Sequence, residues 1–93
     1  MNKKIYVIFD TKVQAYTSPH FLRSNGEAIR AFTTEANNPE SMIAQHPEDY
    51  VLFEIGEYDE NTGQLKPNEN PNSLGVAIEF QRTVPQPSEI RKA

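Results

Sequence analysis

Five consecutive residues, Ile5-Tyr6-Val7-Ile8-Phe9, limit what this chain can fold into more than any other stretch. All five are apolar or aromatic and favour extended backbone. Strand side chains alternate between faces, so this run presents apolar groups on both sides and reads as a central strand. Asp10-Thr11-Lys12 follows as a polar turn, and Val13–Thr17 alternates like the return strand of a hairpin. Pro19 interrupts it, so Ser18-Pro19-His20 reads as an edge or bend.

The middle of the chain changes period. Ser24-Asn25-Gly26-Glu27 has the form of a capping box: Ser24 accepts from the Glu27 amide, and the Glu27 carboxylate reaches back to the Ser24 amide. Ala28, Ile29, Phe32 and Ala36 then recur at helical spacing, and Asn37-Asn38 closes the helix. Asn38 and Pro39 predict the cap and first position of a second short helix carrying Met42, Ile43 and Ala44, ended before Pro47. Tyr50–Tyr58 is the strongest strand, with Val51, Phe53 and Ile55 on one face and Glu54 and Gly56 on the other. Gly63 suits the left-handed position of a hairpin loop over 59–63. Gln64-Leu65-Lys66 reads as a short return strand, 67–73 as an irregular polar loop, and Leu74–Phe80 as a last strand.

The expected fold is therefore α+β: a small antiparallel or mixed sheet in the order β-β-α-α-β-β-β, with helices packed on one face. Residues 1–81 form the single domain and 82–93 a disordered tail. A chain of 93 residues makes a thin core, so stability leans on association.

Composition excludes several functions. There is no cysteine, hence no disulfide, thiolate nucleophile or Cys-type zinc site. No apolar run approaches the ~20 residues of a membrane helix, and the N-terminal run is too short for a signal peptide. Net charge is −4, split unevenly: residues 1–31 carry five basic and two acidic side chains, residues 32–93 four and eleven. Any DNA contact would therefore be local and salt-dependent.

Nothing resembles a catalytic or cofactor motif. His20 lies in a proline bend and His46 at a helix end, both ordinary structural positions. His46, Glu48 and Asp49 match no recurrent metal spacing. Glu54, Glu57, Asp59 and Glu60 read as a wet surface, and no phosphate loop or dinucleotide fingerprint is present. The expectation is a binding protein with no enzymatic activity, cofactor or metal.

Two features could bind. The helix start at Ser24–Gly26 beside Arg23 is a seat for one phosphate, or simply a capped helix. The other is aromatic. Taking Ile5, Val7 and Phe9 as the helix-facing set puts Tyr6 and Ile8 on the open face, where Tyr16 joins them. Tyrosines rimmed by Lys3, Lys4 and Lys12 can stack unpaired bases. The same strip can form a homodimer interface, and the two uses are compatible if a dimer edge builds the groove.

The successive segments Ile5–Lys12, Gly26–Phe32, His46–Asp59 and Leu74–Phe80 resemble the small nonstructural protein of gokushovirus-type microviruses (Microviridae), over about residues 3–80. The resemblance implies a bacteriophage protein acting in the host cytoplasm, tied to synthesis of a circular single-stranded DNA genome. It supplies no catalytic residues. Two functions follow as expectations. The first is a single-stranded DNA-binding accessory factor in viral DNA replication, contacting DNA through Lys3, Lys4, Tyr6, Lys12, Tyr16, Arg23 and Arg30. The second is an adaptor that docks on the replication initiator, a host helicase or the procapsid, using the acidic second half against a basic partner.

Overall fold

The structure is a computed structural model that describes residues 2–82. Its elements are β1 (Asn2–Asp10), β2 (Ala15–Tyr16), β3 (His20–Leu22), α1 (Asn25–Ala36), α2 (Met42–Gln45), a 3-10 turn (Pro47–Asp49), β4 (Tyr50–Asp59), β5 (Leu65–Val76) and α3 (Ala77–Phe80). All strand pairs are antiparallel, in the order β2-β1-β4-β5, and β3 also pairs with β1. The fold is α+β. The expected tail at 82–93 lies, apart from Arg82, outside the described residues.

β1 is central, as five apolar residues require. It pairs with β4 along its whole length, and its other side is shared by two short strands. β2 takes Phe9 and Asp10, β3 takes Lys4 to Tyr6. Between them Thr17 holds the bend in place: its amide donates to the Ile8 carbonyl at 2.8 Å, and its hydroxyl accepts from the Ile8 amide at 3.0 Å. The return strand is shorter than Val13–Thr17 because Gln14 adopts a left-handed φ of 57° inside the turn. The segment after Pro19 is a strand, not only a bend.

The helices cover one face. On α1, Ala28, Phe32 and Ala36 repeat every four residues and are buried with Tyr6, Leu52 and Ala77. Ile8, Leu22, Ile29, Ile43, Tyr50, Leu74 and Phe80 pack around them. The small alanines let α1 and α3 lie close to the sheet, and the large Tyr6 and Phe32 rings fill the remaining space. Phe80 meets Phe32 edge-on, ring centroids 5.8 Å apart.

The sheet faces are opposite to the expected assignment. Tyr6, Ile8 and Leu52 face the helices; Ile5, Val7 and Phe9 do not. Alternation in an all-apolar strand defines two faces but cannot say which one the helices take. The polar end of Tyr6 decides it, because its hydroxyl donates to Asn25 Oδ1 at 2.7 Å, at the first residue of α1.

Other expectations are corrected locally. Ser24 Oγ does accept from the Glu27 amide at 3.2 Å, but the Glu27 carboxylate accepts from the Arg23 amide at 2.9 Å and leaves the Ser24 amide aside. The cap of α2 is Ser41, which accepts from the Ile43 amide; Asn38 instead closes a tight turn through its carbonyl and side chain. The segment 67–73, expected as a loop, falls within β5, but only Pro67, Asn72 and Ser73 of it pair with β4; residues 68–71 have no partner there, at one of two breaks in register. Leu74–Phe80 is not a strand: β5 ends at Val76 and α3 begins at Ala77. Gly75 permits this change of course. Its φ is +138°, and a Cβ there would stand 2.7 Å from the Phe80 ring. β5 is the outer strand of the sheet and carries two prolines, Pro67 and Pro71.

Candidate nucleic-acid interface

The seven residues expected to meet DNA do not form one surface. Tyr6 is 1% exposed and sealed beneath α1, which excludes it from stacking a base. Burial, followed by the Glu54 and Glu27 carboxylates, pushes its phenol up to about 12. Lys4 lies opposite Glu57 and Leu22 on the helix-side face, and its ammonium pairs with Glu54 at 3.5 Å. Lys3 lies on the open face, paired with Glu60 at 3.5 Å. Its row on β1 is six residues from Phe9, hence ~20 Å from Tyr16. Lys12 is exposed in the turn just before β2.

Arg23 and Arg30 share a shallow concavity with Ser24, Gly26 and Glu27 at the start of α1. The proposed phosphate seat is partly filled by the chain itself. The Arg23 and Glu27 amides are already donating to Glu27 Oε1 and Ser24 Oγ, and the Glu27 carboxylate would face the phosphate.

Glu54 is likewise not a wet carboxylate. It is 8% exposed. Its Oε1 accepts from Asn72 Nδ2 at 3.1 Å, and the Asn68 amide donates to its backbone carbonyl at 3.2 Å. Burial alone would raise its carboxyl. The Asn72 hydrogen bond, the Lys4 charge and Asn68 outweigh that and hold it below the ordinary carboxylate value. Among the described residues no three His, Asp or Glu side chains converge as a metal site.

Tyr16 keeps its predicted exposure, 55%, but in different company. Registry places Tyr16, Phe9 and Val51 in one row of the open face, and Val7 and Phe53 in the next. The Tyr16 ring lies 4.6 Å from Phe9 and 6.3 Å from Phe53, centroid to centroid. At the other end Phe21 meets Tyr58 at 5.4 Å. Between the two aromatic groups is an apolar notch of about 260 Å³, lined by Ile5, Pro19, Phe21, Ile55, Leu65 and Pro67. Beside it Gly56, paired between Ile5 and Pro67, lets β5 approach closely, because a Cβ there would lie 2.7 Å from the Lys66 carbonyl.

The acidic residues of β4 avoid this face. Pairing puts Glu54 opposite Tyr6 and Glu57 opposite Lys4, both on the helix side, while Val51, Phe53 and Tyr58 take the open side. Phe9, Phe53, Phe21 and Tyr58 were not singled out from the sequence as contact residues. The signal was the alternation of β4, in which aromatic and acidic residues take opposite faces.

The family model described as "Phage ORF5 protein" matches residues 3–80. No curated protein and no solved structure matches the chain.

Proposed function

The chain belongs to the phage ORF5 protein family, and on that premise we propose that it is a nonstructural protein of gokushovirus-type microviruses that binds single-stranded DNA as an accessory factor in viral DNA replication in the host cytoplasm. The observation that carries this reading is the cluster of exposed Tyr16 with half-buried Phe9 and Phe53 on an open sheet face whose central carboxylates lie on the other side. Unpaired bases stack on such platforms at ~1–3 kcal/mol per base, without sequence preference. Lys12 stands at the aromatic end and Lys3 at the far end, where each can meet a phosphate. Tyr6 and Lys4 have no part in this contact, and Arg23 and Arg30 lie outside it at the start of α1. The role is one of binding, with no catalysis.

Few cations border the platform and the net charge is −4, so affinity is modest and falls as salt rises. Titrating a labelled oligonucleotide at two salt concentrations tests this, with Tyr16→Ala as the control for stacking. Absence of binding at low salt, or binding indifferent to salt, refutes it.

One observation favours the adaptor reading. The notch beside the platform is lined by apolar residues, which suits an apolar side chain of a protein partner better than a base edge seeking hydrogen bonds. In that reading the docking surface is the open face. The acidic group Glu54, Glu57, Asp59 and Glu60 does not form one surface, because Glu54 is buried and Glu54 and Glu57 lie on the helix side while Glu60 reaches Lys3 on the open side. Recovery of the replication initiator or a host helicase with the protein after nuclease treatment, without oligonucleotide binding, would select it.

A further inference from the structure

We propose that a second copy of this chain covers the open face, with Tyr16 of each copy seated in the partner's Ile5–Phe21–Leu65 notch. The argument starts from the arrangement of rows. Tyr16 projects from the Phe9 row, and the notch lies at the Ile5 row. Val7 and Phe53 form the row midway between them. A two-fold axis running across the strands at that middle row, between two sheets packed face to face, lays β1 over β1 in opposite directions. It places the Phe9 row of one copy over the Ile5 row of the other. β2 and β3 flank β1 on the same side, so Tyr16 of one copy comes to lie over Phe21 of its partner. The exposed knob and the apolar hole thus coincide twice in one closed pair.

Charge permits the match. The Ile5, Val7 and Phe9 rows carry no ionic side chain from β1, β4 or β2, and at the two ends Lys3, already neutralised by Glu60, comes toward the partner's 11–12 turn. Area sets the strength. Seven to eight same-face residues of four strands cover a planar footprint of roughly 250 Å² per copy, or about 500 Å² for the pair, the size of a weak, transient contact and below that of a stable interface. The dimer is therefore concentration-dependent. It uses the surface proposed for DNA but does not depend on that proposal. Pairing and strand binding exclude each other.

The test is sedimentation of the full chain over a range of concentrations, without DNA. Wild type is expected to pass from monomer to dimer. Tyr16→Arg and Leu65→Arg, both at exposed positions, should each weaken the dimer at least about tenfold while circular dichroism stays native. The chain has no cysteine, so Tyr16→Cys mixed with Phe21→Cys should be joined by a bis-maleimide reagent spanning about 10 Å, the separation of face-packed sheets. A wild type that stays monomeric throughout, a dimer unchanged by both arginine variants, or absence of the mixed cross-link would overturn the proposal. Oligonucleotide titration of the same samples reads the DNA function separately, and addition of DNA should dissociate the dimer.

Discussion

Both faces of this sheet carry apolar side chains and treat them differently. On the helix side, Tyr6, Leu52 and Phe32 are almost fully enclosed, and the polar groups among them are paired: Tyr6 with Asn25, Glu54 with Asn72 and Lys4. On the open side, Ile5 and Val7 are buried without a helix packed over them, while Tyr16, Phe21 and Leu65 remain 41–61% exposed. The lesson is that burial alone does not mark the structural face. Its mark is satisfied polar groups at the margin, whereas the open face offers aromatic rings and few hydrogen-bonding groups.

Substitutions can break this contrast, and the largest effect belongs to the covered face. Phe32→Ala removes a ring packed against Phe80 and should cost about 3–5 kcal/mol, a large share of the ~5–15 kcal/mol available to a domain of this size. Urea denaturation should show a much lower midpoint. Tyr16→Ala should do the reverse, leaving the midpoint nearly unchanged while weakening oligonucleotide binding by about 1–3 kcal/mol in an anisotropy titration. If Tyr16→Ala instead unfolds the protein, the open face is structural and the contrast fails.

Tyr6→Phe separates the two tyrosines more finely. It deletes the hydroxyl that donates to Asn25 and should lower stability by about 0.5–1.5 kcal/mol, with no effect on DNA binding. The native phenol titrates near 12 against an ordinary 10.0, so the folded state holds its proton where the unfolded chain loses it. Wild-type stability should therefore decline as pH rises from about 10 towards 12, and Tyr6→Phe should lose that component of the decline. The smallest expected effect is at the acid end. The Glu54 carboxyl is held below its ordinary value of 4.5, so its contribution is present at neutral pH and lost as pH falls below that value. Glu54→Gln should be less stable at pH 7 and show a shallower acid limb in a pH series of thermal melts.

Much of this organisation was legible in the residues. The apolar run Ile5–Phe9, the Ser24 cap, the spacing of Ala28, Phe32 and Ala36, and the alternation over Tyr50–Tyr58 each state their structure locally. The faces of β1 were not legible, because a strand apolar on both sides has no polar residue to orient it. Only the tertiary reach of the Tyr6 hydroxyl to Asn25 does so. β5 was hidden for the opposite reason: Pro-Asn-Glu-Asn-Pro-Asn-Ser has turn composition, and it is drawn into the sheet by side-chain bonds from Asn68 and Asn72 to Glu54. The site suffered from the first ambiguity. With the faces exchanged, Tyr6 and Lys4 moved away from Tyr16, while Phe9 and Phe53 moved beside it.

The prolines of β5 have a consequence for how such molecules can accumulate. An outer strand of twelve residues would ordinarily invite another strand to join it, and another after that, without end. Pro67 and Pro71 supply no amide hydrogen, and the register breaks around them distort the border, so fibrillar growth along that margin is discouraged. The proposed pairing would use the broad side instead, which one companion saturates, so assembly by that route would end at two copies.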